Sequence, residues 1–434
     1  MANKINVKAT YLNNPNLNHN TMGIKILGVG NVESKKINIA LLIDTSGSME
    51  GIRINSVKKT LRVLVDILEE DDIITLIGFS SNEKIILSKE KINNSNKNSI
   101  IEEIDNLKAE GGTNLECAIS CLGSLEINDC NAIVILTDGD VNQGVKSVNG
   151  IYSLVKSYIP SKPIYTLGYG DNHNSKLMKA LSTKTHGAYS FIQNEISLPE
   201  SLGDMIGGLK SEISSNVSIK FPDDWKCIEP IAEEGNTFSV GSVISNKPMW
   251  VMLNIPKGSE NKQIELNYED GNQNKTIIFN SDESLEGIED SKLACRERIE
   301  LIEQVVRCEV GKIMNEVESL IEGYESFKAK EILIKTIENL NNSEAKDRPF
   351  VISTKAQLED ILSEIKDAVP NQSLIRLVSN TGSNYGLQRG VTGGGGMFTS
   401  PIQERFSNMM SQRYEEEDDE DPSTCHSTTK KPKV

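Results

Sequence analysis

Asp44, Ser46 and Ser48 alternate along the motif DTSGS at residues 44–48, directly after the apolar run INIALLI at 37–43. That run reads as a buried parallel strand. A carboxylate and two hydroxyls therefore fall where a strand ends and a helix begins, the edge at which open α/β sheets bind their ligands. Two further segments supply matching chemistry. GGT at 111–113 brings the hydroxyl of Thr113 to the start of a helix, and NAIVILTDG at 131–139 is a second buried strand that ends in the carboxylate of Asp138. Asp44, Ser46, Ser48, Thr113 and Asp138 together form a set of oxygen donors suited to a divalent cation. Mg2+ seeks six oxygens in a near-ideal octahedron, and Mn2+ or Ca2+ accepts the same donors. Where neutral hydroxyls dominate, the ion keeps much of its charge, and an open position draws an anionic oxygen from outside. A Glu or Asp of a partner protein is the expected last ligand.

Each of these residues also has a plainer reading. Asp and Ser are favoured at helix N-caps, so DTSGS alone fits a metal-free cap, and it is the addition of Thr113 and Asp138 that turns the reading toward metal. Asp140 reads as a turn residue or a hydrogen bonder behind the ligands. Cys117 and Cys121 share a helix face, but no further ligands accompany them and core packing is expected. His173 and His186 are read as structural, hydrogen-bonded residues.

The elements that must position these groups are legible from periodicity. Residues 36–212 alternate strand and helix: strands at 37–43, 73–79, 132–137, 163–169 and 188–192, with an antiparallel edge strand near 84–87, and helices from 54, at 97–107, 114–125, 148–158, 174–183 and 197–211. Such alternation implies an α/β fold, a doubly wound and mostly parallel sheet with helices on both faces. Residues 213–284 change to short alternating strands that suggest a small β-sandwich, and strands within residues 1–35 are expected to complete it. Residues 285–370 read as helical, with a stripe from Ile299 to Leu320 expected to face the inside of a bundle. Residues 371–434, with GGGG at 393–396, an acidic run at 415–421 and the basic KKPK at 430–433, are expected to form a flexible tail.

The ordered set DxSxS, GGT and TDG resembles the metal-ion-dependent adhesion site of von Willebrand factor A domains. The segments TLGYGDNH at 166–173, HGAYSF at 186–191 and MIGGL at 205–209 are similar to the eukaryotic intracellular branch, whose plant members also carry a RING ubiquitin-ligase finger. In that branch a β-sandwich and a helical region follow the A domain, and SPIQERFSNMMS at 400–411 resembles its ending. No Cys/His array here has RING spacing, so ligase activity is not implied. The resemblance implies a protein-binding module that uses Mg2+ or a similar ion.

Composition narrows the function classes. The chain has 434 residues, 62 acidic against 46 basic, for a net charge of −16, which argues against a general affinity for nucleic acid or anionic lipid. No run approaches the length of a membrane span and the N-terminus lacks a secretory signal, so a cytoplasmic protein is expected, with the nucleus as the alternative suggested by residues 430–433. Seven cysteines without framework spacing fit reduced thiols. The leading expectation is a non-enzymatic adaptor that captures an acidic side chain at the metal. A RING-less scaffold of the ubiquitin system is the alternative, and a metal-assisted hydrolase is weaker, because GxSxG, HExxH and P-loop motifs are missing.

Overall fold

The computed structural model describes residues 4–12, 17–30, 35–127, 129–159, 162–231, 235–270, 273–280, 292–366, 371–388 and 399–420. Its centre is a six-stranded sheet built from β3 (Asn38–Asp44), β4 (Ile73–Phe79), β5 (Glu83–Lys91), β6 (Ala132–Thr137), β7 (Ile164–Tyr169) and β8 (Tyr189–Ile192), in the order β5-β4-β3-β6-β7-β8. All neighbours run parallel except β4 and β5. β3 and β6 are buried along their whole length, as continuous apolar runs covered on both faces must be. Alternation along β3 divides the core: Ile39, Leu41 and Ile43 pack with α1 (Ile52–Ile67), α2 (Lys97–Asp105) and α6 (Ser197–Lys210), while Ala40 and Leu42 pack with α3 (Leu115–Ser124), α4 (Val148–Tyr158) and α5 (Ser175–Lys184).

The chain leaves β3 toward β4 and β5, then returns to place β6 on the other side of β3. β3 and β6 thus flank the point at which strand order reverses, where the loops leaving their C-terminal ends diverge and open a crevice.

A second unit is made of two four-stranded antiparallel sheets. β1 (Ile5–Leu12) and β2 (His19–Gly28) join β12 (Pro248–Pro256) and β10 (Lys226–Cys227) in one, and β11 (Thr237–Ile244), β9 (Glu212–Lys220), β13 (Gln263–Asp270) and β14 (Gln273–Asn280) form the other. Met22, Ile24 and Val251 of the first sheet share an apolar core with Val217, Ile219 and Leu266 of the second. The central α/β unit is therefore an insertion between β2 and β9. The two-residue β10 has no counterpart among the expected strands.

Helices α7 (Lys292–Glu322), α8 (Ser326–Asn342), α9 (Pro349–Glu364) and α10 (Gln372–Leu387) enclose a fourth core. Val306, Val310 and Val317 of the expected stripe are buried in it, and Ile299, Ile302, Ile313 and Leu320 pack against it. The tail expected to be flexible from residue 371 contains α10 and a further helix, α11 (Pro401–Glu420), which takes in most of the acidic run. Residues 393–396 and 430–433 lie outside the described residues. Among the described residues no helix is long and apolar enough to cross a membrane.

Candidate functional site

Asp44 ends β3 and Asp138 follows β6 directly, so the pairing of these strands fixes their carboxylates side by side in the crevice. Both are fully buried. Asp44 Oδ1 accepts from the backbone N–H of Ser46 at 2.8 Å and Oδ2 from the hydroxyl of Thr137 at 2.5 Å, which aims the carboxylate across the strand ends. Burial pushes the Asp44 carboxyl above its usual range, against the hydrogen bonds from Thr137 and Ser46.

Ser46 Oγ lies 3.0 Å from Ser48 Oγ, and Ser48 Oγ donates to Asp138 Oδ1 at 2.7 Å. Neither hydroxyl caps a helix: the short turn Gly47–Met49 has no side-chain cap, and α1 begins after Gly51. The two serines therefore do not act as caps, while Asp44 does hold a free backbone N–H, that of Ser46.

The Thr113 loop is stitched to both others by its backbone. Gly47 N–H donates to Gly111 O at 3.0 Å, Glu110 N–H to Thr45 O at 2.8 Å, and Thr113 N–H to Asn142 Oδ1 at 2.9 Å, while Asn142 and Gln143 N–H both donate to Thr113 O at 3.1 Å. Gly111 has φ +78°, and a Cβ on Gly112 would lie 2.6 Å from the Gln143 side chain, so the two glycines allow this close stacking of loops. Thr113 itself is buried. All five expected residues thus sit on three interlocked loops at one edge of the sheet.

Three participants were not foreseen. Thr137 orients Asp44, and Asn142 holds the Thr113 loop. Arg53 sets its guanidinium against Asp138 Oδ2, donates to Ser48 O at 3.3 Å and lies 6.0 Å from the ring centre of Tyr169. A signal for Arg53 existed. It is a cation in the first turn of α1, where the helix dipole disfavours positive charge, so another group must hold it there.

The other candidates take structural places. His173 is buried, with Nε2 2.7 Å from Tyr189 Oη and Nδ1 2.6 Å from Gly170 O. His186 Nε2 lies 3.1 Å from Ser239 Oγ of β11. Cys117 and Cys121 pack against the core, and burial, helped by the Glu83 carboxylate, pushes the Cys117 thiol up to about 12. Cys117, Cys121, Cys130, Cys227 and Cys308 are free thiols. Among the described residues no three His, Cys, Asp or Glu side chains gather to hold a metal. A cavity of about 810 Å3, lined by Cys130, Lys156, His186 and Glu269, opens at the opposite, N-terminal edge of the strands, away from these loops.

Residues 38–204 match the von Willebrand factor type A domain family. That segment, and not the whole chain, carries the likeness to von Willebrand factor A domains, which are generally protein-interaction modules. The domain is similar to the uncharacterized protein sll0103 of Synechocystis, 32% identical over 36% of this chain and 38% of that one. It is 35% identical to YfbK of Escherichia coli over 36% of this chain and 28% of the relative, and 26% identical to inter-alpha-trypsin inhibitor heavy chain H3 of Rattus norvegicus over 43% and 22%. The chain thus spans well under half the length of these curated relatives. The likeness of fold extends further. A von Willebrand factor type A protein from Catenulispora acidiphila superposes over 88% of this chain and 96% of its own, with a TM-score of 0.65 at 12% identity. The ArnB paralog VWA2 of Sulfolobus acidocaldarius superposes over 88% and 99%, at 0.58 and 18% identity.

Proposed function

We propose that this protein is a divalent-metal-dependent adaptor that captures an acidic side chain of a protein partner, with Asp44, Ser46, Ser48, Thr113 and Asp138 as the metal-ion-dependent adhesion site. The observation that carries this reading is the spacing of oxygens. Adjacent ligands on an octahedral Mg2+ at about 2.1 Å stand about 3 Å apart. The Ser46–Ser48 and Ser48–Asp138 oxygen pairs stand at 3.0 and 2.7 Å. Ser46, Ser48 and Thr113 would hold the ion, and Asp44 and Asp138 would bind it directly or through water. Bound there, the ion supplies a Lewis-acidic position for an external carboxylate.

Charge supports the same reading. Asp44 and Asp138 together with Arg53 leave the pocket one negative charge, and a divalent ion turns it into one positive charge. Mg2+ is the first choice for an oxygen-only site, and Mn2+ and Ca2+ remain compatible. No histidine adjoins the ligand loops to act as a general base, which favours binding over hydrolysis. A RING-less role in ubiquitin transfer rests on the sequence resemblance alone.

Mn2+ titration followed by electron paramagnetic resonance tests the site. One tight equivalent should bind the wild type, and Asp44→Asn or Asp138→Asn should abolish it. Pull-down from the source cell tests the function: partners should be lost both with EDTA and with Asp44→Ala. Partners sensitive to EDTA but indifferent to Asp44→Ala contradict the proposal.

A further inference from the structure

An open groove of about 610 Å3 runs from Asp140, in the loop that follows Asp138, along the start of α5 to the seam between the ends of α7 and α10. Its floor holds Arg376. This half-buried guanidinium donates to Ser175 Oγ at 2.5 Å, its Nε is sealed from solvent with no acceptor, and no carboxylate pairs with it among the described residues. Apart from the exposed Asp140 at the end nearest Asp138, the acidic groups of the surrounding elements are engaged elsewhere: Glu318 with Lys179 at 2.9 Å, Glu322 with Lys176 at 2.9 Å, and Asp171 with the hydroxyl of Ser373. An uncompensated cation in a partly desolvated groove is a receptor for an anion. At the rim Tyr324 is 76% exposed and holds φ +61°, a conformation unfavourable for a bulky residue.

We infer that this groove takes a second carboxylate of the partner segment whose first carboxylate reaches the metal, with Arg376 as the second anchor and the exposed Tyr324 at the rim packing against the bound chain. This rests on the metal-site reading above. Continuity through Asp140 gives the two anchors one path. Asp140 is exposed on that path, so the segment carries two separated acids and not an unbroken acidic run. Tethering two weak contacts raises affinity through effective concentration, provided the linker spans the sites.

The probes are blocked peptides with Asp and Glu at the two ends of Gly-Ser linkers of graded length, and the same peptides with Gln in place of Glu. Binding to the full chain in Mg2+ is followed by 1H–15N line shifts, including the Nε–H of Arg376, assigned through its loss in Arg376→Met. At the best linker the di-acid should bind about tenfold tighter than the mono-acid, move the Arg376 resonance, and lose this advantage in Arg376→Met while mono-acid affinity stays. Arg376→Lys, which keeps the charge, should retain part of the gain and guards against a folding artefact. Mono-acid binding in Mg2+ with no di-acid gain at any length, or a gain that survives Arg376→Met, overturns the inference and leaves the metal site standing. Mono-acid binding indifferent to EDTA overturns both.

Discussion

Arg53 is the residue on which the character of the site turns. It occupies Asp138 Oδ2 and leaves Oδ1 to the Ser48 hydroxyl, so one oxygen of the carboxylate faces a cation and the other a neutral donor. The guanidinium stabilises the pocket and would repel a divalent ion entering the proposed site. Relief of repulsion from one charge at several ångströms is worth about 1.4 kcal/mol, or about tenfold in affinity, at the high effective dielectric of a partly open site. Arg53→Met should therefore bind Mn2+ about tenfold tighter while melting lower without metal, and Mn2+ should raise its midpoint more than that of the wild type. Unchanged Mn2+ affinity would remove Arg53 from the site. A second residue carries the acid response. The His173 ring lies under Gly168, where a Cβ would approach it to 2.3 Å, and burial holds its pKa at about 4 against 6.5 in the unfolded chain. Between those values the unfolded chain binds more protons, so the full contribution stands above pH 6.5 and drains away as pH falls toward 4, for a total of about 3 kcal/mol. Histidine ring resonances check this: one of the four should stay neutral to about pH 4, and titration of His173 near 6.5 would refute it.

At the scale of elements, α11 is held on α6 by absent side chains. A Cβ on Gly203 would lie 2.7 Å from Phe406 O and Ser407 Cα, and one on Gly207 would lie 2.6 Å from Gln403 Cα. These obstacles are backbone and cannot swing aside. Replacing both glycines by Ala returns about 1 kcal/mol of helix propensity at each position, but forces two helices apart along a seam that buries Met410 and Tyr414 beside Leu202 and Met205. Overpacking of this kind costs about 1–3 kcal/mol at each site, so the double variant should be less stable. It should lose hydrogen-exchange protection in α11 before the strands of the central sheet. The same seam shows why sequence reading stopped short here. The strands of the A domain announce themselves as apolar runs, and the order DTSGS, GGT, TDG carried all five candidate site residues. α10 buries Leu374, Ile375, Val378 and Tyr385, but between the last two its buried face runs through Ser379, Asn380, Thr381, Ser383 and Asn384, polar residues that interrupt the apolar pattern. Its helix is imposed by tertiary contact with α7 and the edge strand β8, information that local periodicity does not hold. Arg53 and Thr137 escaped for a related reason: their roles depend on which side chain lies across a strand boundary.

For the whole molecule, the question is what joins an inserted A domain, a two-sheet unit and a helical bundle into one body. Arg307 of α7, fully buried, forms a two-pronged pair with Glu229 at 2.7 Å on both nitrogens and donates to Tyr385 O of α10 at 2.9 Å. Glu229 also accepts from Met252 N–H of β12 at 2.9 Å, so one ion pair touches the first sheet and two helices. Nearby, Gln388 exchanges hydrogen bonds with the backbone of Trp250 at 2.7 and 3.0 Å and ties the end of α10 to the same strand. Removing one partner strands a charge in the interior, and Glu229→Gln should cost about 3–5 kcal/mol. Replacing both by Met removes both desolvation penalties and should cost less than the single change, because the packing volume is nearly kept while the stranded charge is gone. Urea unfolding followed by tryptophan fluorescence and far-ultraviolet dichroism in parallel distinguishes a joint from a local contact. The two tryptophans, Trp225 and Trp250, both report on the two-sheet unit. If Arg307 couples the parts, Glu229→Gln should shift both signals together. If only the helical signal shifts, the ion pair belongs to the bundle and the units unfold independently.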